Sequence, residues 1–414
     1  MRRPPNILWI VTTQWRAQAF GFAGDCNART PRLDALAAEG VNFDQAVTPH
    51  PFGPFARAAL LTGVPCPGNG VRDYFDPLPD GAATIARELS ARGYATAFFG
   101  KWHLSARDPE APLVGEAHAR ANIPVAARGG FGFWEGFESG FQINGPWLHG
   151  TRLPEPLRFE GYQSDVVCSR AAEWIGAAPR IHPWFCLVSL ESPHPPYDSP
   201  AAGMLPPDPG RIQLRANVPL GGAAEEKARR ELSGYYAHIA ATDRAIGRVA
   251  DAVSGETALT VFTSVHGDMH GSHGLFRKGW PHEESVRVPF LVRAPESLGW
   301  ATRQARGCVS HAAVSLVDLP DLALAAADGR GWRPRGDWAA LSMPSVVRLP
   351  HQCDRVWRGV RGCNRKLVLD GDRRPWLFFD LESDPLELHN LAGDPSRASE
   401  VREWTGRCGP SKPC

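Results

Sequence analysis

The sequence predicts an α/β fold, with a central sheet flanked by helices and a small antiparallel sheet at the C-terminal end. Three observations predict it. Short apolar runs rich in strand formers recur at Ile7–Val11, Ala95–Phe99, Phe185–Leu190 and Val261–Thr263. Helical patterns stand between them, and Gly-punctuated polar segments follow them, as alternating strands and helices require. After about residue 325 the pattern changes, and Trp357–Arg361 and Lys366–Leu369 alternate like antiparallel strands. The 414 residues suffice for one large unit and a smaller one, placed at 1–325 and 326–414.

Composition narrows the function classes. Hydrophobic residues make up 43% and charged residues 21%, which is globular usage and argues against disorder. With 45 basic against 44 acidic residues the formal net charge is +1, so no global field draws nucleic acid or an anionic membrane. Any anion selectivity is local. No apolar run approaches the roughly 18 residues of a membrane span. Met1–Pro5 leads straight into the first strand without a signal-peptide core or cleavage site, so a cytoplasmic location is expected. Nine cysteines without metal-type spacing fit reduced, buried thiols, with Cys408 and Cys414 as exposed thiols on the tail. Nothing in the sequence sets an oligomeric state.

In chain order, Thr30 caps a short helix that has Pro31 at its first position and Gly40 as its stop. Thr48–Gly63 reads as a loop feeding a second helix whose first turn carries Arg57, so free amides and a guanidinium would converge on an anion. Ala83–Arg92 and Ala223–Val253 read as helices that cover the sheet. Residues 105–160 are rich in Gly, Pro and Trp; they either line a site or form a surface excursion with Trp134 and Trp147 in the core.

The stretch Thr263–Pro295 carries the densest chemistry, because a buried strand ends there in His266, Asp268, His270, His273 and Lys278. Ligands bind beyond the carboxyl ends of strands in open α/β sheets. The stretch resembles the sulfatase family, within the alkaline phosphatase superfamily, whose loop reads S-D-H-G-D-M-x-G-x-H-G followed by K-G-W. Further motifs carry the same resemblance in order: Asn6–Arg16, Thr30–Gly40, Thr48–Gly63, Gly100–Leu104, Pro193–Tyr197 and Phe378–Leu391. The resemblance implies an alkaline phosphatase/sulfatase-like central mixed sheet. It also implies that Arg57, Lys101, His103, His194 and Lys278 surround an anionic ester.

Several positions depart from the family pattern. The family's metal ligands fall on Thr13, Gln14, Val265 and His266, where no carboxylate remains. Its cysteine, converted to formylglycine as the nucleophile, falls on Gly53 counting back from Leu60-Leu61-Thr62-Gly63, or on Phe52 counting from the proline. Neutral ligands hold calcium or magnesium poorly, so neither that metal nor formylglycine is expected. Asp268, His270 and His273 offer an alternative set for a softer ion such as zinc.

The expected partner is an anionic small molecule, bearing sulfate, phosphate or carboxylate, in a pocket left with at least three fixed positive charges. Lys101, His103 and His194 are candidate acid–base groups, the histidines titrating near neutrality. Thr13, with Thr12, is a candidate hydroxyl nucleophile. Arg57, Lys278, His266, Gln14 and Gly53 are assigned to ligand binding. The expectation is a metal-independent enzyme for transfer or elimination; the alternatives are a non-catalytic anion-binding protein and an ester hydrolase with a relocated site.

Overall fold

The computed structural model describes residues 3–179, 181–300 and 306–409; the Met1–Arg2 start and Cys414 lie outside them. One 10-stranded sheet organises the chain. From edge to edge its strands are Cys308–Ser310, Val41–Phe43, Phe290–Arg293, Ala258–Ser264, Asn6–Thr12, Trp184–Ser189, Ala95–Lys101, Phe133–Phe137, Trp147–Gly150 and Leu157–Arg158. The five from Ala258–Ser264 to Phe133–Phe137 are mutually parallel, and Phe290–Arg293 and Trp147–Gly150 flank them antiparallel. The sheet is therefore mixed.

Alternation along the central strand divides the core. Ile7, Trp9 and Val11 join the cluster on one face, and Leu8 and Ile10 join the other, because successive side chains of a strand point to opposite sides. Helices Gly53–Thr62, Ile85–Ala91 and Leu319–Ala327 cover the first face; Pro31–Glu39, Gln163–Ala177 and Ala223–Ala252 cover the second. Burial on both faces explains why the central strands read as continuous apolar runs.

Four antiparallel strands, Trp338–Met343, Trp357–Gly362, Arg365–Leu369 and Pro375–Asp380, form the C-terminal sheet in sequence order. One of its faces, through Leu341, Met343, Trp357, Val368 and Phe379, belongs to the same apolar cluster as the main body. The helix Ala398–Arg407 covers the other face with Val401 and Trp404.

The sequence reading needs four corrections. Thr30 holds the cap position without capping: its hydroxyl accepts from the Gly21 N–H at 2.9 Å and donates to Asp34 at 2.8 Å. Arg57 is the fifth residue of its helix, one turn further in than expected. Within residues 105–160, Phe133–Phe137 is the fifth parallel strand, hidden by the glycines that interrupt its apolar pattern. Among the described cysteines, Cys26, Cys308 and Cys363 are exposed rather than buried, and Cys408 is half-buried. Among the described residues no helix is long and apolar enough to cross a membrane.

Trp357 tests the shared core, since its indole is 3% exposed and donates to the Gly279 carbonyl at 2.8 Å. Trp357→Ala should cost about 3–5 kcal/mol in urea unfolding. Both sheets should still unfold in one transition.

Candidate functional site

Every parallel strand delivers polar residues to the same carboxyl edge. Asn6–Thr12 leads to Thr13 and Gln14, Ala258–Ser264 to Val265, His266 and Asp268, Trp184–Ser189 to Glu191 and His194, Ala95–Lys101 to His103, and Phe133–Phe137 to Glu138. The Gly53–Thr62 helix adds Arg57, and the loop beyond Asp268 adds Lys278. Thr13, Gln14, Arg57, Lys101, His103, Glu138, Glu191, His194, His266, Asp268 and Lys278 are between 0 and 7% exposed. Gln14, His103, Phe141, His270 and Arg277 have positive φ, a concentration of backbone strain typical of functional edges.

Hydrogen bonding assigns the protons. The His103 Nε2 faces Arg107 Nη1 at 2.9 Å. A guanidinium only donates, so the neutral His103 ring carries its proton on Nδ1. The Nδ1 of His194 lies 2.8 Å from the Pro195 carbonyl, so Nε2 is the acceptor for Lys278 Nζ at 3.0 Å. Lys278 also donates to Gln14 Oε1 at 2.6 Å, and the Gln14 amide nitrogen donates to Asp268. His266 Nδ1 faces the Gly267 carbonyl at 2.8 Å, which leaves a bare lone pair on Nε2.

Arg57 stands out among these groups. It donates from Nη2 to Thr13 at 2.8 Å, while its buried Nε and Nη1 have no partner. Arg57 and Lys101 also border a gap of about 10 Å³ lined mostly by apolar residues such as Leu60, Leu61 and Phe98.

Burial governs the titration. It lowers Lys278 to about 7, with Asp268 opposing and Lys101 assisting, and it lowers Lys101 to about 8 against the pull of Glu191. Burial likewise raises Glu138 to about 7, with Arg107 opposing. His103, His194 and His266 all fall well below the ordinary range, through burial first and the neighbouring lysines second.

Residues 5–329 match the sulfatase family. The chain is 33% identical to the ulvan-active sulfatase of Formosa agariphila, over 94% of this chain and 78% of that one. The chain belongs to the sulfatase family. A structure solved with its substrate D-glucosamine-2-N,6-O-disulfate superposes with a TM-score of 0.81 at 20% identity, covering 98% of this chain and 97% of the other. The phosphonate monoester hydrolase of Agrobacterium radiobacter superposes with a TM-score of 0.74 at 21% identity, covering 97% and 94%. These two likenesses show a common fold.

In this sulfatase-family chain the structure brings together Thr13, Gln14, Gly53, Arg57, Lys101, His103, His194, His266 and Lys278. Both residues at the helix start reach this edge: Gly53 faces His103 and Arg57, and the Phe52 ring packs on Tyr74 with the Lys278 ammonium 5.5 Å from its centre.

Other expectations change. The pocket is not purely cationic: Lys101 pairs with Glu191 at 2.6 Å, Arg107 with Glu138 at 3.4 Å, and Asp268 anchors Gln14. Glu138 and Glu191 were missed although the first directly follows its strand and the second lies two residues beyond its own, which is the signal that located their neighbours. The histidines are neutral at pH 7 rather than poised to titrate. Thr13 donates its hydroxyl proton to the Leu190 carbonyl at 2.9 Å, with no base beside it. Residues 105–160 do reach the site, because Phe141 stacks on His194 at 4.5 Å and lies under Lys101 at 4.6 Å.

The zinc set of Asp268, His270 and His273 does not converge. His273 instead groups with Glu284 and Glu387, where Arg215 and Lys366 already balance the two carboxylates. Glu191→Gln would leave Lys101 buried without its counter-charge. It should lower stability by about 3–5 kcal/mol in denaturant unfolding, the usual cost of breaking a buried pair from one side.

Proposed function

We propose that this sulfatase-family chain binds an oxyanion ester at the carboxyl edge without a divalent metal and without a side-chain nucleophile. One observation carries the reading. Arg57 is buried and charged, has no carboxylate within ion-pair distance among the described residues, and keeps two of its nitrogens, Nε and Nη1, without an acceptor. Buried donors without acceptors are costly, and an oxyanion supplies charge-matched acceptors.

The donor set at the family's metal positions does not fit calcium or magnesium. Val265 is apolar, the Thr13 hydroxyl serves Leu190 and Arg57, and the Lys278 ammonium holds the Gln14 oxygen that would face a cation. Hard divalent ions require anionic oxygen ligands.

Proton transfer falls to Lys278. It donates to two neutral acceptors, Gln14 and His194, and its third position is an N–H of the ammonium or the lone pair of the amine. Near pH 7 both forms are populated, so the residue can orient an anion in one form and take a proton in the other. This supports transfer or elimination on an anionic small molecule. A second reading, binding without turnover, is favoured by the Thr13 hydroxyl, which no base activates.

The test is metal analysis together with sulfate and phosphate binding across pH, with aryl sulfate and phosphate turnover measured with and without EDTA. Metal should be substoichiometric and EDTA without effect. From pH 6 to 9 Lys278 and Lys101 lose positive charge and Glu138 gains negative charge, so all three changes weaken anion binding in the same direction. The dissociation constant should rise about ten-fold or more across that range. Stoichiometric metal with EDTA-sensitive turnover would overturn the proposal; EDTA-insensitive turnover that Lys278→Met abolishes would favour the first reading, and anion binding with no turnover by the unsubstituted chain would favour the second.

A further inference from the structure

A polar cavity of about 270 Å³ lies outside the cluster at the carboxyl edge, between the segment that follows the Asn6–Thr12 strand and the segment that precedes the Ala223–Ala252 helix. None of the anion-facing residues of the edge lines it. Pockets for drug-sized ligands begin at roughly 300 Å³, so this one suits a smaller molecule. Its walls are tied together in advance. Asn27 donates to the Gln213 carbonyl and accepts from the Gln213 N–H, both at 3.0 Å, and Tyr236 donates its hydroxyl to Asp25 at 2.6 Å. Such ties spare a ligand the cost of ordering its own site.

Arg16 is the group that these walls leave unsatisfied. Its side chain is 2% exposed and lines the cavity. Nε donates to the Asp268 carbonyl at 2.6 Å and Nη2 to the Met269 carbonyl, which fixes two of the three nitrogens on one loop. Among the described residues Nη1 has no partner, and no carboxylate lies within ion-pair distance of the guanidinium. An arginine cannot shed its proton, so a buried one calls for an anion. The neighbouring groups do not supply it. The Asp25 carboxylate is spent on Tyr236 and Asn27, and Arg215, which also lines the cavity, gives its Nε to Glu284 at 3.0 Å. Arg16 and Arg215 against Asp25 leave the lining with one positive charge in excess. Leu214, Val218 and Leu232 make the rest of the wall apolar.

We propose that this cavity binds a small monocarboxylate, with the carboxylate on Arg16 Nη1 and a short carbon chain on the wall of Leu214, Val218 and Leu232. A single negative charge matches the excess. A doubly charged oxyanion overshoots it, and an uncharged molecule leaves the arginine bare. The inference is independent of the oxyanion reading, because the cavity and the edge share no anion-facing residue.

Cys26 is a built-in reporter, since it is exposed and lines the cavity, whereas Cys363 is exposed outside it. Iodoacetamide alkylation of the full chain, followed for each cysteine by peptide mass spectrometry, is compared in sodium butyrate, butyramide and sodium sulfate. Butyrate should slow alkylation of Cys26 about five-fold or more, as loss of access to a thiol does, and leave Cys363 unchanged. Butyramide and sulfate at the same concentration should protect neither. Gln18 is half-buried and lines the cavity, so Gln18→Glu adds a negative charge there without touching the core. It should raise the butyrate concentration that half-protects Cys26 about ten-fold, and an unchanged melting temperature shows that the variant folds. Cys26 reacting equally fast with and without butyrate, equal protection by butyramide, or half-protection that Gln18→Glu moves by about two-fold or less would each overturn the proposal.

Discussion

Parallel pairing of the Asn6–Thr12 strand with both of its neighbours is the constraint on which the rest depends. Parallel strands send their chains out at one edge, so five loops that are far apart in sequence must be solved together in one small volume. That volume lies between helices and the C-terminal sheet and excludes water from nearly every polar group in it. Each group must then find a partner within the edge or shift its protonation. Lys101 finds Glu191, Arg107 finds Glu138, and the histidines lose their charge.

The departures at Thr13, Gly53 and Val265 fit one another physically. At this edge Arg57 has no carboxylate within ion-pair distance among the described residues, and burial lowers Lys278 to about 7. Membership of the sulfatase family accounts for the scaffold and for the motifs that deliver Arg57, Lys101, His103, His194 and Lys278 to one edge.

Much of this was legible in the sequence, and the reasons differ by residue. The buried parallel strands announce themselves as apolar runs, and Lys101, His103, His194 and Lys278 sit in contiguous motifs whose spacing carries over. Phe133–Phe137 was hidden because Gly132 and Gly136 break its pattern, although its register with Ala97–Lys101 is regular. Glu138 and Glu191 were hidden because the partner of a buried carboxylate is set by tertiary proximity, not by neighbours in sequence. That Gly53 lies against His103 and Arg57 while the Phe52 ring lies near Lys278 depends on the folded helix start, which spacing alone does not show. The tautomers of His103 and His194 depend on Arg107 and on the Pro195 carbonyl, and only folded geometry reveals them.

The C-terminal sheet does more than lengthen the core. Its Trp338–Met343 strand reaches Pro49 through the Ser342 N–H at 2.8 Å, and the loop after it holds Lys278 by contacts from Gln352 and Cys353, each at 3.2 Å. The segment leading to Gly53 and the segment carrying Lys278 are therefore both gripped by residues more than 60 positions downstream. A chain ending near residue 330 would retain every anion-facing side chain yet lose the clamp that aligns two of them. The site is consequently not a portable cassette: in any recombination or gene fusion, its two halves have to be inherited together.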